Sequence, residues 1–309
     1  MKILGRNLVV LSLTLFAGVA LQTIGSPVAP TAGAVTKKWK LVWQEQFNGT
    51  AVDPSRWTVL TREPQKPNTE QYGTFGVGVK NGRADIVSRR HCVTPADPVP
   101  TYLNRATGVC PPGTTTDYSA GRIETPPIFN GDFKVVFRAK LPPNARPGSR
   151  AALWLKNETP YCIQGETATG EFDVMEWYSA DPTKTTATSH IYCINTVFDV
   201  SYHKAKFTPQ WLKQWHTFSI TFQNNTMRYY VDDQPVKVLG GSATLDTKRT
   251  FTRTTTAQYL SVLRQNWSIV ISSSVAEDPA AKSASFRAPD TNAPFEDTHF
   301  LVSDVKVYQ

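Results

Sequence analysis

The sequence predicts an all-β protein in which two large antiparallel sheets pack face to face. Three observations carry that expectation. Segment after segment alternates with period two, most clearly where Phe133, Val135, Phe137, Ala139 and Leu141 are spaced by Lys134, Val136, Arg138 and Lys140. Turn residues punctuate the runs: Asn224-Asn225 separates Thr217–Phe222 from Met227–Val231, and Asp232-Asp233 follows at once. Only one short helix is legible, where Thr208 can cap a first turn that begins with Pro209 and continues through Trp211 and Leu212.

The remaining elements follow in order. The first 34 residues read as a signal peptide: Lys2 and Arg6 form a basic start, Leu8 to Ala20 is nearly all apolar, and Thr31-Ala32-Gly33-Ala34 offers a small-residue cleavage site. The apolar run is too short to span a bilayer, for which about 20 residues are needed. Residues 35–309 then form one domain, since the strands on either side of the Pro/Thr/Gly-rich loops near 93–117 and 141–149 have the same character. Leu301 to Tyr308 reads as a closing strand. The expectation is a secreted monomer with no membrane segment after cleavage.

Four cysteines, Cys92, Cys110, Cys162 and Cys193, are an even number in an exported chain and allow three pairings. The favoured one joins Cys92 to Cys110 around a loop and Cys162 to Cys193 across an acidic stretch. None has the spacing of a zinc site, and no metal is assigned. The formal charge of +8 falls to +6 once Lys2 and Arg6 leave with the leader. Its basic residues are scattered, so a nucleic-acid partner is not expected, while an anionic polymer would be attracted.

The chemistry is concentrated in GEFDVMEWY, residues 170–178. Glu171 and Asp173 are two apart and share a face of a regular strand, whereas Glu176 lies an odd interval away and should face the other side. Three carboxylates on an interior strand are costly to bury dry, so their face must be wet or paired. Crowded like charges also favour the protonated form of one member, which a carboxyl proton donor requires. Calcium could use such a set, but its loops are rich in Asp, Asn and Gly, and here the spacers are Phe172, Val174 and Met175. Glycoside hydrolysis by a carboxylate pair fits better. A β-bulge at Val174-Met175 would return Glu176 to the face of its partners.

The stretch resembles the E-x-D-x-x-E signature of glycoside hydrolase family 16, in its laminarinase-like form. Further segments agree in order: Leu41-Val42-Trp43, Asn68-Thr69-Glu70-Gln71-Tyr72, Gly121-Arg122-Ile123, Gly131-Asp132-Phe133, Ala152-Leu153-Trp154-Leu155, Trp215-His216-Thr217 and Val305-Lys306-Val307-Tyr308. The resemblance implies a concanavalin-like β-jelly-roll with an open cleft and retaining hydrolysis of a β-linked polysaccharide, most simply a β-1,3- or β-1,3(4)-glucan. Glu171 would be the nucleophile, Glu176 the acid and base, and Asp173 a hydrogen-bonding partner of the nucleophile. Trp154, His190, Arg122, Asn68 and Tyr161 would contact substrate, His190 through Glu176 or the sugar, while Trp177 would turn into the core. No cofactor is required, although a structural calcium near the closing strand is compatible with the resemblance.

Three departures from the family pattern stand out, one of them Ile269-Val270-Ile271-Ser272-Ser273-Ser274 in place of an Asn-Leu-Ala-Val-Gly-Gly-like strand. Arg150 stands near the place of a family tryptophan, and Ser303 stands where the family has an aspartate, with Asp304 one place later. A wall-remodelling transglycosylase, a β-galactan hydrolase and a non-catalytic glucan-binding module are the competing expectations.

Overall fold

The computed structural model describes residues 38–61, 71–143, 146–157, 169–192, 200–205, 207–224, 226–238, 241–242, 244–246, 261–276 and 287–309. The signal peptide, Asn68, Tyr161, Cys162 and Cys193 lie outside these residues. Residues Trp39–Gln309 form one unit.

Alternation places every second residue of a strand in a shared interior, and the chain builds a jelly-roll sandwich from two sheets of such strands. Among the described residues, one sheet has seven strands: β1 (Thr58–Val59), β2 (Arg122–Glu124), β3 (Ser149–Lys156), β4 (Thr169–Tyr178), β5 (Lys184–Tyr192), β6 (Val200–Ala205) and β7 (Ser268–Val275), in the spatial order β6-β5-β4-β3-β7-β2-β1. The other is built around Phe133–Lys140, His216–Gln223, Thr226–Val231, Ala84–Val93 and the closing strand Thr298–Tyr308. Among the described residues, pairing is antiparallel apart from one short parallel contact, Gln71–Tyr72 beside Ser119–Ala120.

The interior is apolar. Ala151, Leu153 and Leu155 of β3 and Phe172, Val174, Met175 and Trp177 of β4 are buried together with Phe133, Val135, Phe137, Phe218, Ile220, Val302, Val305 and Val307. Phe172 lies 4.6 Å from Trp267, ring to ring. Complete burial of a side chain of this size contributes about 1.5–3 kcal/mol. Trp177 is in the core, as its parity requires, and its indole nitrogen donates to the Pro182 carbonyl at 3.3 Å.

Local expectations are met at the hairpin and the helix. His216–Gln223 pairs with Thr226–Val231, and Asp232 and Asp233 both take positive φ, the left-handed conformation of a tight turn. The helix is Pro209–Leu212, with the Thr208 side chain accepting from the Trp211 amide. The loop near 93–117 is more ordered than its composition suggests. Arg105–Ala106 and Thr115–Ala120 both pair with Ala84–Val93, and the predicted Cys92–Cys110 disulfide closes the intervening chain. Ala84–Val93 carries Arg89, Arg90 and His91 inside, so its charged text conceals a buried strand. The displaced aspartate near the C-terminus has a similar explanation. The closing strand shifts register between Val302 and Asp304, so Ser303 is an extra residue in the ladder.

The chain changes sheets at one point that positions the site. Thr115–Ala120 ends in one sheet and β2 begins in the other, with only Gly121 between them. A Cβ on Gly121 would sit 2.0 Å from the Gly76 carbonyl oxygen, and one on Gly76 would sit 2.4 Å from the Ala120 oxygen. Two backbones touch there, and neither can retreat as a flexible side chain would. Gly121→Ala is therefore expected to destabilise the fold by about 3 kcal/mol, at the upper end of overpacking costs. Denaturant unfolding measures this, and a change below about 0.5 kcal/mol would contradict the contact.

Candidate active site

The motif strand β4 lies between β3 and β5, and its register resolves the odd interval. Along β3, Lys156 pairs with Glu171, Trp154 with Asp173, Leu153 with Met175 and Ala152 with Glu176. Along β5, His190 pairs with Glu171, Thr188 with Asp173 and Thr186 with Glu176. Both partners advance four residues while β4 advances five, so one residue between Asp173 and Glu176 is a bulge. Val174 and Met175 are consecutive and both buried, 2 % and 0 % exposed, which a regular strand would not allow. Glu171, Asp173 and Glu176 consequently share the face turned away from the core.

Their surroundings differ. Asp173 is 5 % exposed, while Glu171 and Glu176 are half-buried. Burial, then the charge of Glu176, pushes the Asp173 carboxyl well above the ordinary carboxylate range; Glu171 adds to this, and a hydrogen bond from His190 opposes it. His190 Nε2 lies 3.1 Å from Asp173 Oδ2. Glu171, Asp173 and His190 each place one polar atom within 4.8 Å of the other two. His190, expected to serve Glu176 or the sugar, thus engages the central aspartate.

Glu176 is held by hydroxyl groups. The Tyr178 phenol donates to Oε1 at 2.6 Å, and Thr188 and Thr186 donate to Oε2 at 3.2 and 3.4 Å. None of the three was singled out from sequence. Tyr178 was accessible by parity, since it lies two residues beyond Glu176 on the same strand. The two threonines needed the register of β5.

Beyond the acids the open face carries a charged network. Arg122 on β2 pairs with Glu124 at 2.8 Å, and Lys156 on β3 reaches the same carboxylate oxygen at 2.9 Å. Burial works to raise the Glu124 carboxyl, but these two cations outweigh it and hold it below its ordinary range. The Arg122 guanidinium also lies over the Trp154 ring, 4.6 Å from its centre, and the indole nitrogen donates to Ser272 Oγ at 3.1 Å. Trp154 is on the open face one strand from Asp173, as expected of a sugar platform, but the guanidinium lies against one side of its ring. At the start of β4, Asn157 accepts from the Gly170 amide at 2.7 Å and donates to the Asn266 carbonyl at 3.1 Å, which ties the motif strand to the chain before β7.

The buried Asp173 makes a prediction about stability. A carboxyl with a raised folded-state pKa supplies stability that is complete below its unfolded value and is lost as pH rises through the folded value. Asp173→Asn removes that dependence. Relative to wild type, the variant should gain stability between pH 4 and pH 7, read as a melting-temperature difference that grows with pH. A difference that is constant across this range would contradict the assignment.

Comparison with known proteins agrees with this geometry. The model for glycosyl hydrolases family 16 matches residues 114–270, just over half of the chain and inclusive of the acidic strand. A glucan endo-1,3-beta-glucosidase A1 from Niallia circulans is 28 % identical over 228 residues, which is 68 % of this chain and 30 % of that protein. The chain thus spans about a third of the length of that curated relative. Among solved structures, the catalytic domain of an endo-1,3-beta-glucanase (laminarinase) from Thermotoga petrophila superimposes with a TM-score of 0.63 at 21 % identity, covering 89 % of this chain and 99 % of that one. An endo-beta-1,3-glucanase from Pyrococcus furiosus gives a TM-score of 0.61 at 21 % identity, over 88 % and 94 % of the two chains. With its acids gathered by a bulge onto the open face of a jelly roll, the chain belongs to glycosyl hydrolase family 16.

Proposed function

We propose that the protein is a secreted, retaining endo-β-glycanase that hydrolyses β-1,3- or β-1,3(4)-glucan. The observation that carries this reading is the division of environments among three carboxyl groups on one face: a buried central aspartate held high, flanked by two half-buried glutamates. Two carboxyl groups with separate roles on either side of a glycosidic bond are what double displacement requires.

In the first half, a Glu171 carboxylate oxygen attacks the anomeric carbon and the glycosidic C–O bond breaks. Glu176 gives its proton to the departing oxygen. In the second half, water attacks the same carbon, Glu176 takes a proton from it, and the Glu171 ester bond breaks. Asp173, whose carboxyl is pushed upward by burial and by its acidic neighbours, is assigned the hydrogen bond to Glu171 and is fixed in turn by His190. The reaction needs no metal. A buried Asp173 whose environment favours the uncharged carboxyl suits a cation poorly, and near the closing strand the Asp304 carboxylate is already engaged by Lys306 and Gln44.

The glucan assignment draws on what the relatives are named for. Arg150 and the Arg122–Trp154 contact distinguish this open face from a purely aromatic one, so β-galactan and agarose belong in the same assay. Release of reducing ends from laminarin, lichenan, agarose and galactan tests the reading. Glu171→Gln and Glu176→Gln should each lower the rate on the preferred polysaccharide by about 10²–10⁴-fold or more. A dinitrophenyl glycoside, whose leaving group needs no proton, should restore glycosylation in Glu176→Gln alone. Absence of release by wild type, with polymer binding unchanged in both variants, would establish the binding-module alternative instead. Products longer than a defined oligosaccharide substrate would identify a transglycosylase.

A further inference from the structure

Resting on the reading of Glu176 as acid and base, we propose that Tyr178 is its positioning residue: the phenol pins one carboxyl oxygen so that the proton is carried on the other. The Tyr178 hydroxyl donates to Oε1 at 2.6 Å, the shortest of the three contacts to this carboxyl, while two threonine hydroxyls from the neighbouring strand meet Oε2 at 3.2 and 3.4 Å. The two oxygens are therefore unequal. A threonine hydroxyl can rotate from donating to accepting, so Oε2 can take up or release a proton without losing its partner. Oε1 is met by a phenol, a stronger donor and weaker acceptor than an aliphatic hydroxyl because its oxygen lone pair is shared with the ring, so a proton on that oxygen is the less favoured. Burial, then the charge of Glu176 and the bond to it, pushes the Tyr178 pKa far upward, so the phenol keeps its proton throughout the working range.

The same bond is suited to both halves of the reaction. In the base form, a short O–H···O⁻ bond stabilises the carboxylate. In the acid form, it holds the carboxyl at one rotation, so the proton on Oε2 points in one direction. The placement depends on the bulge. Tyr178 is two residues beyond Glu176, and both are turned to the open face only because one extra residue precedes them. Of the charged and titratable groups on this face, Asp173 on β4 interacts with Glu176 directly, Arg150 on β3 lies directly across from Tyr178, Glu171, Lys156 and His190 lie further along the strands, and His203 on β6 pairs with Thr186. None of these is altered by the tests that follow.

The experiment follows the Glu176 carboxyl directly, by NMR of protein enriched with glutamate carrying ¹³C in its side-chain carboxyl, with the resonance assigned from its loss in Glu176→Gln. In Tyr178→Phe the carboxylate loses a donor that favours its charged form, so the titration midpoint should move to higher pH. On the polysaccharide that wild type cleaves, kcat should fall about tenfold, the factor that 1.4 kcal/mol represents, with KM nearly unchanged. The alkaline limb of kcat/KM should move in the same direction as the NMR midpoint. Placing 3-fluorotyrosine at position 178 strengthens the donor while preserving the packing, and should move the midpoint the opposite way. An unmoved midpoint in both proteins, or a loss expressed only in KM, would overturn the proposal. If Glu176→Gln instead retained polysaccharide hydrolysis, the acid–base assignment would fall, while the NMR midpoint would still decide whether Tyr178 holds this carboxyl.

Discussion

Five residues carry β4 from Glu171 to Glu176, and the ladders on both sides count four. Everything at the site depends on that difference of one. A strand has only two faces, and a residue's face is set by counting. Run as a regular strand with no bulge, the five-residue interval would drive Glu176 into an interior filled by Phe172, Trp177 and Trp267, where an unpaired carboxylate is strongly unfavourable. With the bulge, Val174 and Met175 both enter the core and the third acid rejoins the other two. The apolar packing stabilises the bulge, and the bulge orients the chemistry.

Once gathered, the acids are distinguished by their immediate neighbours. Asp173 is buried between Glu171 and Glu176 with His190 on its oxygen, and its carboxyl is held high. Glu176 is bounded by hydroxyl groups that supply direction as well as partners. Across the face, Lys156, Glu124 and Arg122 form a linked set of charges that ends on the Trp154 ring. The same arginine lies on the strand that begins directly after Gly121, where the chain crosses between sheets through a contact only glycine permits. The open face is thus tied to the topology at both of its ends.

Much of this was legible in the sequence because it follows from counting. Alternation identified the strands around Phe133–Lys140 and the hairpin at Asn224, parity demanded a bulge at Val174-Met175, and Thr208-Pro209 marked the helix. What escaped depends on register or on partners remote in sequence. Ala84–Val93 reads as polar because Arg89, Arg90 and His91 find partners inside the fold, the terminal nitrogens of Arg90 in the Ala293 and Asp290 carbonyls and His91 in Ser119 and Asn104. Thr186 and Thr188 are ordinary strand residues until β5 is aligned on β4. The guanidinium over Trp154 comes from a strand two places away, and no local pattern announces it. Ser303 is an extra residue of the same kind as the bulge in β4, in a strand where its consequence is only a displaced aspartate.

Deleting Val174 tests the central claim most directly. Glu171 and Glu176 would then be four apart, an even interval that already places both on one face, and they would occupy the same four ladder positions without any bulge. The account predicts that this shortened protein folds and hydrolyses the wild-type polysaccharide at a rate well above that of Glu176→Gln. A folded deletion variant as inactive as Glu176→Gln would show that the register of β4 does not govern the chemistry.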